Sequence, residues 1–139
     1  MVGILIVSHG NLVNGLLDSL RMFFGEEELQ QIAGLVLLQS DDCKQFGSKI
    51  DEMLKKLDTG DGVIILADML GGTPCNQSLM RLNENVTILS GINLPMLMEL
   101  VYERKYGVID IDTILETGKE GITNAGARLL ESTETVDDD

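Results

Sequence analysis

Gly3-Ile4-Leu5-Ile6-Val7-Ser8-His9-Gly10 is the stretch from which the fold can be read. Gly3 to Val7 is an unbroken apolar run, too short for a buried helix and rich in β-branched side chains. Such a run predicts a strand covered on both faces, as in a parallel sheet. The polar triplet Ser8-His9-Gly10 ends it, and helix signals follow at once. Asn11 is placed to cap a segment in which Val13, Leu16, Leu17, Leu20 and Phe24 recur at helical spacing, with Gly25 positioned to stop it.

The alternation continues along the chain. Residues 32–38 read as a second strand, and Ser40-Asp41-Asp42 offers capping oxygens to a helix with Phe46, Ile50, Met53, Leu54 and Leu57 on one face. That helix closes at Asp58-Thr59-Gly60, and residues 63–67 form a third strand. Gly71-Gly72-Thr73-Pro74 has the layout of a tight loop feeding a helix that runs to about Leu82, with Thr73 as N-cap and Pro74 at its first position. Residues 86–89 make a fourth strand, and a helix opened by Pro95 covers 94–106. Beyond Gly107, Asp112 caps a short helix through Glu116, and residues 121–124 read as a last short strand. Strands alternating with helices imply a doubly wound α/β domain, a mostly parallel four-stranded sheet in the order 2-1-3-4 with helices on both faces. Its topological switch point lies between strands one and three, where ligand chemistry belongs.

At one domain per ~150 residues, the 139 residues make one domain, expected over 1–125, with 126–139 as a solvated acidic tail. Against 10 Lys plus Arg stand 23 Asp plus Glu, a formal charge of −13. Such a surface repels nucleic acid and anionic membrane, and suits a basic protein partner. Cys43 and Cys75 are too few and too far apart for a disulfide scaffold or a zinc site. No apolar run approaches the ~20 residues of a membrane span, and no basic segment with the pattern of a signal peptide precedes the first. A cytoplasmic protein with reduced thiols is expected.

The strand ends supply the chemistry. Strand one delivers His9, the only histidine, and strand three delivers Asp68 beside the Gly71-Gly72-Thr73 loop. A carboxylate that accepts one ring N–H fixes the tautomer, leaves the other nitrogen as a nucleophile and stabilises the cation formed when that nitrogen takes an electrophile. The loop adds backbone N–H groups at a helix N-terminus, a setting suited to a phosphoryl group. Taken singly, each feature has a blander reading: His9 as a turn residue, Asp68 as a loop cap, the glycines as positive-φ residues. Their convergence on one switch point favours the functional reading. No Gly-x-x-x-x-Gly-Lys, Gly-x-Gly-x-x-Gly or Gly-x-Ser-x-Gly motif is present, which argues against a nucleotide cradle or a serine hydrolase. Cys75, although in the first helical turn, reads as a packing residue, and the methionines as core filler.

Ile6-Val7-Ser8-His9-Gly10, Asp68-Met69-Leu70-Gly71-Gly72-Thr73-Pro74-Cys75-Asn76 and Ser90-Gly91-Ile92-Asn93-Leu94-Pro95-Met96 together resemble the EIIA component of mannose-type (mannose, fructose, sorbose) phosphoenolpyruvate-dependent sugar phosphotransferase systems. The resemblance spans residues 1–122. It implies that His9 accepts a phosphoryl group from the phosphocarrier HPr and passes it to a histidine of EIIB, the sugar being phosphorylated later at the membrane components EIIC and EIID. It further implies that Nε2 carries the group while Asp68 holds Nδ1, that Thr73 stands near the phosphoryl group, and that Asn93, Leu94 and Pro95 help to wall the site. Neither a metal nor a cofactor is implied. A homodimer that exchanges its last strand, residues 121–125, is expected, and EIIB is expected on a separate polypeptide. The related phosphotransfer subunit of dihydroxyacetone kinase also has a histidine after strand one, but the 71–76 motif looks like the sugar-transport branch. Two further rivals are a flavodoxin-like module binding a free anion or FMN, for which 4% aromatic content leaves few rings, and a regulatory protein that uses the charge state of His9 only as a signal.

Overall fold

A computed structural model describes residues 1–137. The chain runs β1 (Gly3–His9), α1 (Leu12–Leu20), β2 (Ile32–Leu37), α2 (Cys43–Leu57), β3 (Val63–Ala67), α3 (Thr73–Leu79), β4 (Val86–Ser90), α4 (Leu94–Lys105), α5 (Ile111–Glu120) and α6 (Ala125–Asp137). The four strands lie in the order β2-β1-β3-β4, every neighbouring pair parallel. This is the expected doubly wound α/β arrangement.

The period of two in a strand explains why β1 is apolar throughout. Ile4 and Ile6 enter one core with Val13 and Leu20 of α1, Leu97 and Leu100 of α4 and Ile114 of α5. Leu5 and Val7 enter the other, with Phe46 and Ile50 of α2 and Cys75 of α3. Both faces are therefore dry, and β1, flanked by β2 and β3, carries its carboxyl end into the middle of one edge of the sheet.

Capping fixes where the helices start. The Asp42 carboxylate accepts the Lys44 N–H at α2, and the Asn93 side chain accepts the Met96 N–H at α4. At α5 the cap is Asp110, two residues before the expected Asp112, and the helix extends to Glu120. Its amides at Asp112 and Thr113 both reach the Asp110 carboxylate, which outcompetes the later start. Helix α1 stops at Leu20, and residues 21–24 close with turn bonds before Gly25 is reached.

The expected last strand at 121–125 is not formed. Ile122 donates its N–H to the Lys119 carbonyl, prolonging the end of α5, and the Asn124 side chain accepts the Ala127 N–H to open α6. The β-branched Ile122 and Thr123 suggest a strand, but local turn and cap bonds consume the amides and the helix-forming Ala125-Gly126-Ala127-Arg128-Leu129-Leu130 follows. The segment proposed for exchange in a dimer is thus a turn in this chain. The acidic end is helical through Asp137 and exposed where its side chains are described; the last two residues of the expected tail lie outside the described residues.

One buried cation joins distant parts. Arg104 of α4, 7% exposed, donates to the carbonyls of Val2 at 3.1 Å and of Glu28 and Gln30 at 2.7 Å each, tying the end of α4 to the entrances of β1 and β2. Burial pushes its pKa below the ordinary arginine value.

Candidate functional site

His9 is the last residue of β1, and the chain turns away from it through Gly10, whose N–H bonds to the Leu37 carbonyl at 2.8 Å. On the other side, the Asp68 N–H reaches the Val7 carbonyl at 3.2 Å, extending the β1–β3 ladder just past β3. That register brings the two side chains together. Asp68 Oδ2 accepts the main-chain N–H of His9 at 2.8 Å and lies 2.8 Å from its Nδ1, while Oδ1 accepts the Met69 N–H at 2.9 Å. The carboxylate is nearly buried at 9% exposure, whereas the imidazole is 45% exposed.

Burial opposes ionisation of Asp68, but the His9 N–H, the His9 ring and its charge, and the Met69 N–H together outweigh it and hold the carboxyl below the ordinary carboxylate value. An ionised carboxylate is an acceptor only, so Nδ1 must donate to it. The lone pair of the neutral ring is then on Nε2.

The two glycines serve different ends. Gly71 has φ +88°, a conformation that an L side chain rarely adopts. Gly72 has an ordinary extended backbone, but a Cβ there would lie 2.5 Å from Cε1 and 3.1 Å from Nε2 of His9. Only glycine leaves room for the ring. Gly72 is also the N-cap of α3, so Thr73 is the first helical residue rather than the cap and Pro74 is the second. The extended Gly72 can take the cap position because no side chain intrudes there. Freed from capping, the Thr73 hydroxyl sits 3.8 Å from Cys43 Sγ at the start of α2. The N–H groups of Thr73 and Cys75 have no intrahelical partner, as in any first turn, and Pro74 has none to offer.

Asn93, Leu94 and Pro95 lie at the same carboxyl edge of the sheet, beyond β4. Both polar atoms of Asn93 are committed elsewhere: Oδ1 accepts the Met96 N–H at 3.0 Å and Nδ2 donates to the Gly118 carbonyl at 2.8 Å, joining α4 to α5. Pro95 lines a groove of about 540 Å³ with Phe23, Phe24, Met98 and Tyr102. The contacts of Asn93 and Pro95 therefore face α5 and this groove, whereas His9, Asp68 and Gly72 form one compact cluster. Cys75 is buried in the core, in line with its packing role.

Ser8 has a role that its sequence position does not reveal. Its buried hydroxyl accepts the Val13 N–H at 3.0 Å and donates to the Gly10 carbonyl at 3.0 Å, capping α1 from within β1 while Asn11 makes no side-chain cap bond. It thereby clamps the turn on which His9 sits. The inward orientation of every second residue of a buried strand was the available signal.

Among the described residues, no group of three His, Cys, Asp or Glu side chains is placed to hold a metal ion, and no helix is long and apolar enough to cross a membrane.

Residues 3–117 match the family model EIIA-man, described as "PTS system fructose IIA component". A mannose-specific EIIAB component of Escherichia coli K12 is 29% identical over 135 residues, 94% of this chain and 41% of the relative. The chain thus spans about two fifths of that relative's length. A fructose-specific EIIA component of Bacillus subtilis is 28% identical over 108 residues, 76% of this chain and 73% of the relative. A crystal structure of a PTS IIA protein associated with the fucose utilization operon of Streptococcus pneumoniae superposes with a TM-score of 0.82 at 28% identity, covering 93% of this chain and 99% of the other. The family match starts in β1 and ends in α5, enclosing all four strands and the His9 cluster, and the chain belongs to the mannose-type EIIA family of sugar phosphotransferase-system components.

Proposed function

We propose that this chain is a cytoplasmic phosphocarrier that takes a phosphoryl group from phospho-HPr onto Nε2 of His9 and delivers it to a histidine of EIIB, ahead of sugar phosphorylation at the membrane components EIIC and EIID. The observation that carries the reading is the grip of a single Asp68 oxygen on both the main-chain N–H and Nδ1 of His9. It aims a nucleophilic nitrogen outward and keeps a negative charge behind the ring.

In the accepting step the Nε2 lone pair forms a bond to phosphorus as the N–P bond of the donor breaks, and the donor imidazole leaves with that electron pair. His9 becomes a phosphorylated imidazolium whose charge Asp68 offsets. Delivery to EIIB reverses the roles. Such transfer needs in-line positioning and charge stabilisation more than acid–base apparatus, and no metal or cofactor enters either step. Gly71, Gly72 and Thr73 are assigned to phosphoryl binding: Gly72 provides space beside Nε2, and main-chain N–H groups at the start of α3 can face the anion. Asn93, Leu94 and Pro95 are assigned to the outer wall of the site on the strength of the family motif. The charge of −13 supports encounter with basic protein surfaces.

A homodimer is part of the reading. Its support is the apolar surface left open by one chain, with Phe23 56% and Tyr102 55% exposed at the groove and Leu129 and Leu130 of α6 exposed among the described residues.

The test is labelling from phosphoenolpyruvate with Enzyme I and HPr, followed by addition of EIIB. Acid-labile label on wild type, none on His9→Ala, and discharge by EIIB are expected. Full label on His9→Ala overturns the assignment, and label that EIIB cannot remove points to a signalling protein.

A further inference from the structure

Four of the seven methionines are exposed: Met1 at 45%, Met22 at 83%, Met69 at 54% and Met80 at 74%. Met1 precedes β1, whereas Met22 and Met80 follow the ends of α1 and α3. Those helices start at the carboxyl edge of the parallel sheet and run back across it, so all three thioethers lie toward the edge opposite His9. Met69 alone of the four stands at the edge that carries His9. Its N–H bonds to Asp68 Oδ1 at 2.9 Å, while the other oxygen of that carboxylate lies 2.8 Å from the His9 ring. A Cβ built on Gly72 would lie 2.5 Å from His9 Cε1, 3.1 Å from Nε2 and 3.6 Å from Met69 Cγ. The thioether arm and the reactive nitrogen therefore border the same space. Met69 belongs to neither core and packs against neither, so its chemistry can change without loss of the fold.

A thioether open to water reacts with hydrogen peroxide. A sulfur lone pair attacks one peroxide oxygen, the O–O bond breaks as the S–O bond forms, and proton transfer to the departing oxygen releases water. Sulfur loses two electrons and the peroxide gains them. The product is polar where the thioether was apolar, and its oxygen carries partial negative charge with no proton to donate. A phosphoryl group on Nε2 is itself anionic, so a sulfoxide beside it opposes the charge that the site must accept.

Resting on the phosphocarrier reading, we infer that Met69 is a site of reversible oxidation by peroxides and that its sulfoxide blocks phosphoryl transfer at His9. The more exposed Met22 and Met80 take up oxygen as well, but too far from the ring to matter. Inactivation thus follows one thioether and not the total oxygen gained.

The experiment treats wild type and Met69→Leu with hydrogen peroxide, removes the excess with catalase, and maps the oxygen on each methionine by peptide mass spectrometry. Phospho-HPr is added only afterwards. Acceptance by wild type should slow by about tenfold or more as Met69 is converted, with Tm unchanged. Dithiothreitol alone, which reverses mild oxidation of the exposed Cys43, should not restore it. Dithiothreitol with both methionine sulfoxide reductases should. Met69→Leu should keep its rate although Met22 and Met80 are oxidised. The ring resonances of His9, the only histidine, should move with Met69 oxidation in wild type and stay in place in the variant. Equal inactivation of Met69→Leu overturns the inference, as does full conversion of Met69 with the rate intact, or a loss matched by a fall in Tm. If untreated wild type accepts nothing from phospho-HPr, the phosphocarrier reading itself fails, and the ring resonances still show whether the sulfoxide reaches His9.

Discussion

Asp68 Oδ2 lies 2.8 Å from both the main-chain nitrogen and the ring Nδ1 of His9, so one buried oxygen fixes backbone and imidazole together. Replacing it with an amide tests that grip. In Asp68→Asn the side chain is neutral and its amide can present either a donor or an acceptor to Nδ1, so the tautomer is no longer set and the imidazolium loses its counter-charge. Transfer from phospho-HPr should slow by about a hundredfold with the fold retained. Single-turnover labelling beside a thermal melt checks it; wild-type rates would remove Asp68 from the mechanism.

The neighbouring glycines should fail in different assays. Gly72→Ala places a Cβ 2.5 Å from the His9 ring and drives the ring from its position, so phosphoryl acceptance should fall at least tenfold while the melt moves little. Gly71→Ala meets nothing within 4 Å but must hold φ +88°, which costs about 1 kcal/mol, a drop in Tm of about 3–4 °C with acceptance largely kept. The reverse pattern would show that the two positions have been misassigned.

How much of this was legible in the sequence follows from the range of each interaction. Sheet order and the His9–Asp68 pairing were readable because apolar runs and polar strand ends are local signals, and parallel topology converts them into neighbours. Two caps lie one or two residues from the expected ones: Asp110 for Asp112 because both carboxylates stand within one turn, and Gly72 for Thr73 because an extended glycine takes the position without a side chain. The strand expected at 121–125 was lost to short-range bonds around Asn124 that β-propensity does not register. Contacts between distant segments left no sequence signature: Thr73 against Cys43, Gly72 against the imidazole, and the Arg104 carbonyl cluster.

Two carboxyls should respond to pH with opposite sign. Asp68 sits below its ordinary value of 3.8, burial being outweighed by its bonds to His9 and Met69. The unfolded chain therefore binds this proton more readily, and the stabilisation from Asp68 is complete above 3.8 and lost as pH falls through the lower folded value. Glu99 sits above its ordinary 4.5 because burial, then the charge and hydrogen bond of Glu103, disfavour ionisation more than the Thr117 hydroxyl favours it. Here the folded chain binds the proton more readily, so the cost is absent well below 4.5 and complete above the raised folded value. Glu99→Gln should accordingly raise Tm by about 1–2 °C at pH 7 and leave it unchanged near pH 3, whereas the deficit of Asp68→Asn should shrink on acidification. Melts of the three proteins across that range check both signs, and a Glu99→Gln gain that persists at pH 3 would rule out a protonation origin.

Arg104 is the test of long-range cohesion. Its guanidinium serves the carbonyls of Val2, Glu28 and Gln30, which lie at the far ends of β1 and β2 from His9. Arg104→Met keeps an unbranched apolar stem at this position of α4 and removes the donors, leaving these carbonyls to find water or stay unpaired. Against that loss stands the cost of burying a cation, visible in the lowered pKa of Arg104, and this cost vanishes with the charge. Lost hydrogen bonds to a charged group outweigh it, so a net destabilisation of about 2–3 kcal/mol is expected, a fall in Tm of about 6–12 °C. Phosphoryl acceptance at 25 °C should be unaffected, because the site is anchored instead by the β1–β3 register and the Ser8 clamp at the opposite edge of the sheet. A variant that melts like wild type would mean that water replaces the guanidinium without cost. One that melts normally but accepts phosphoryl groups slowly would couple the two edges of the sheet in a way that the separate hydrogen-bond sets do not account for.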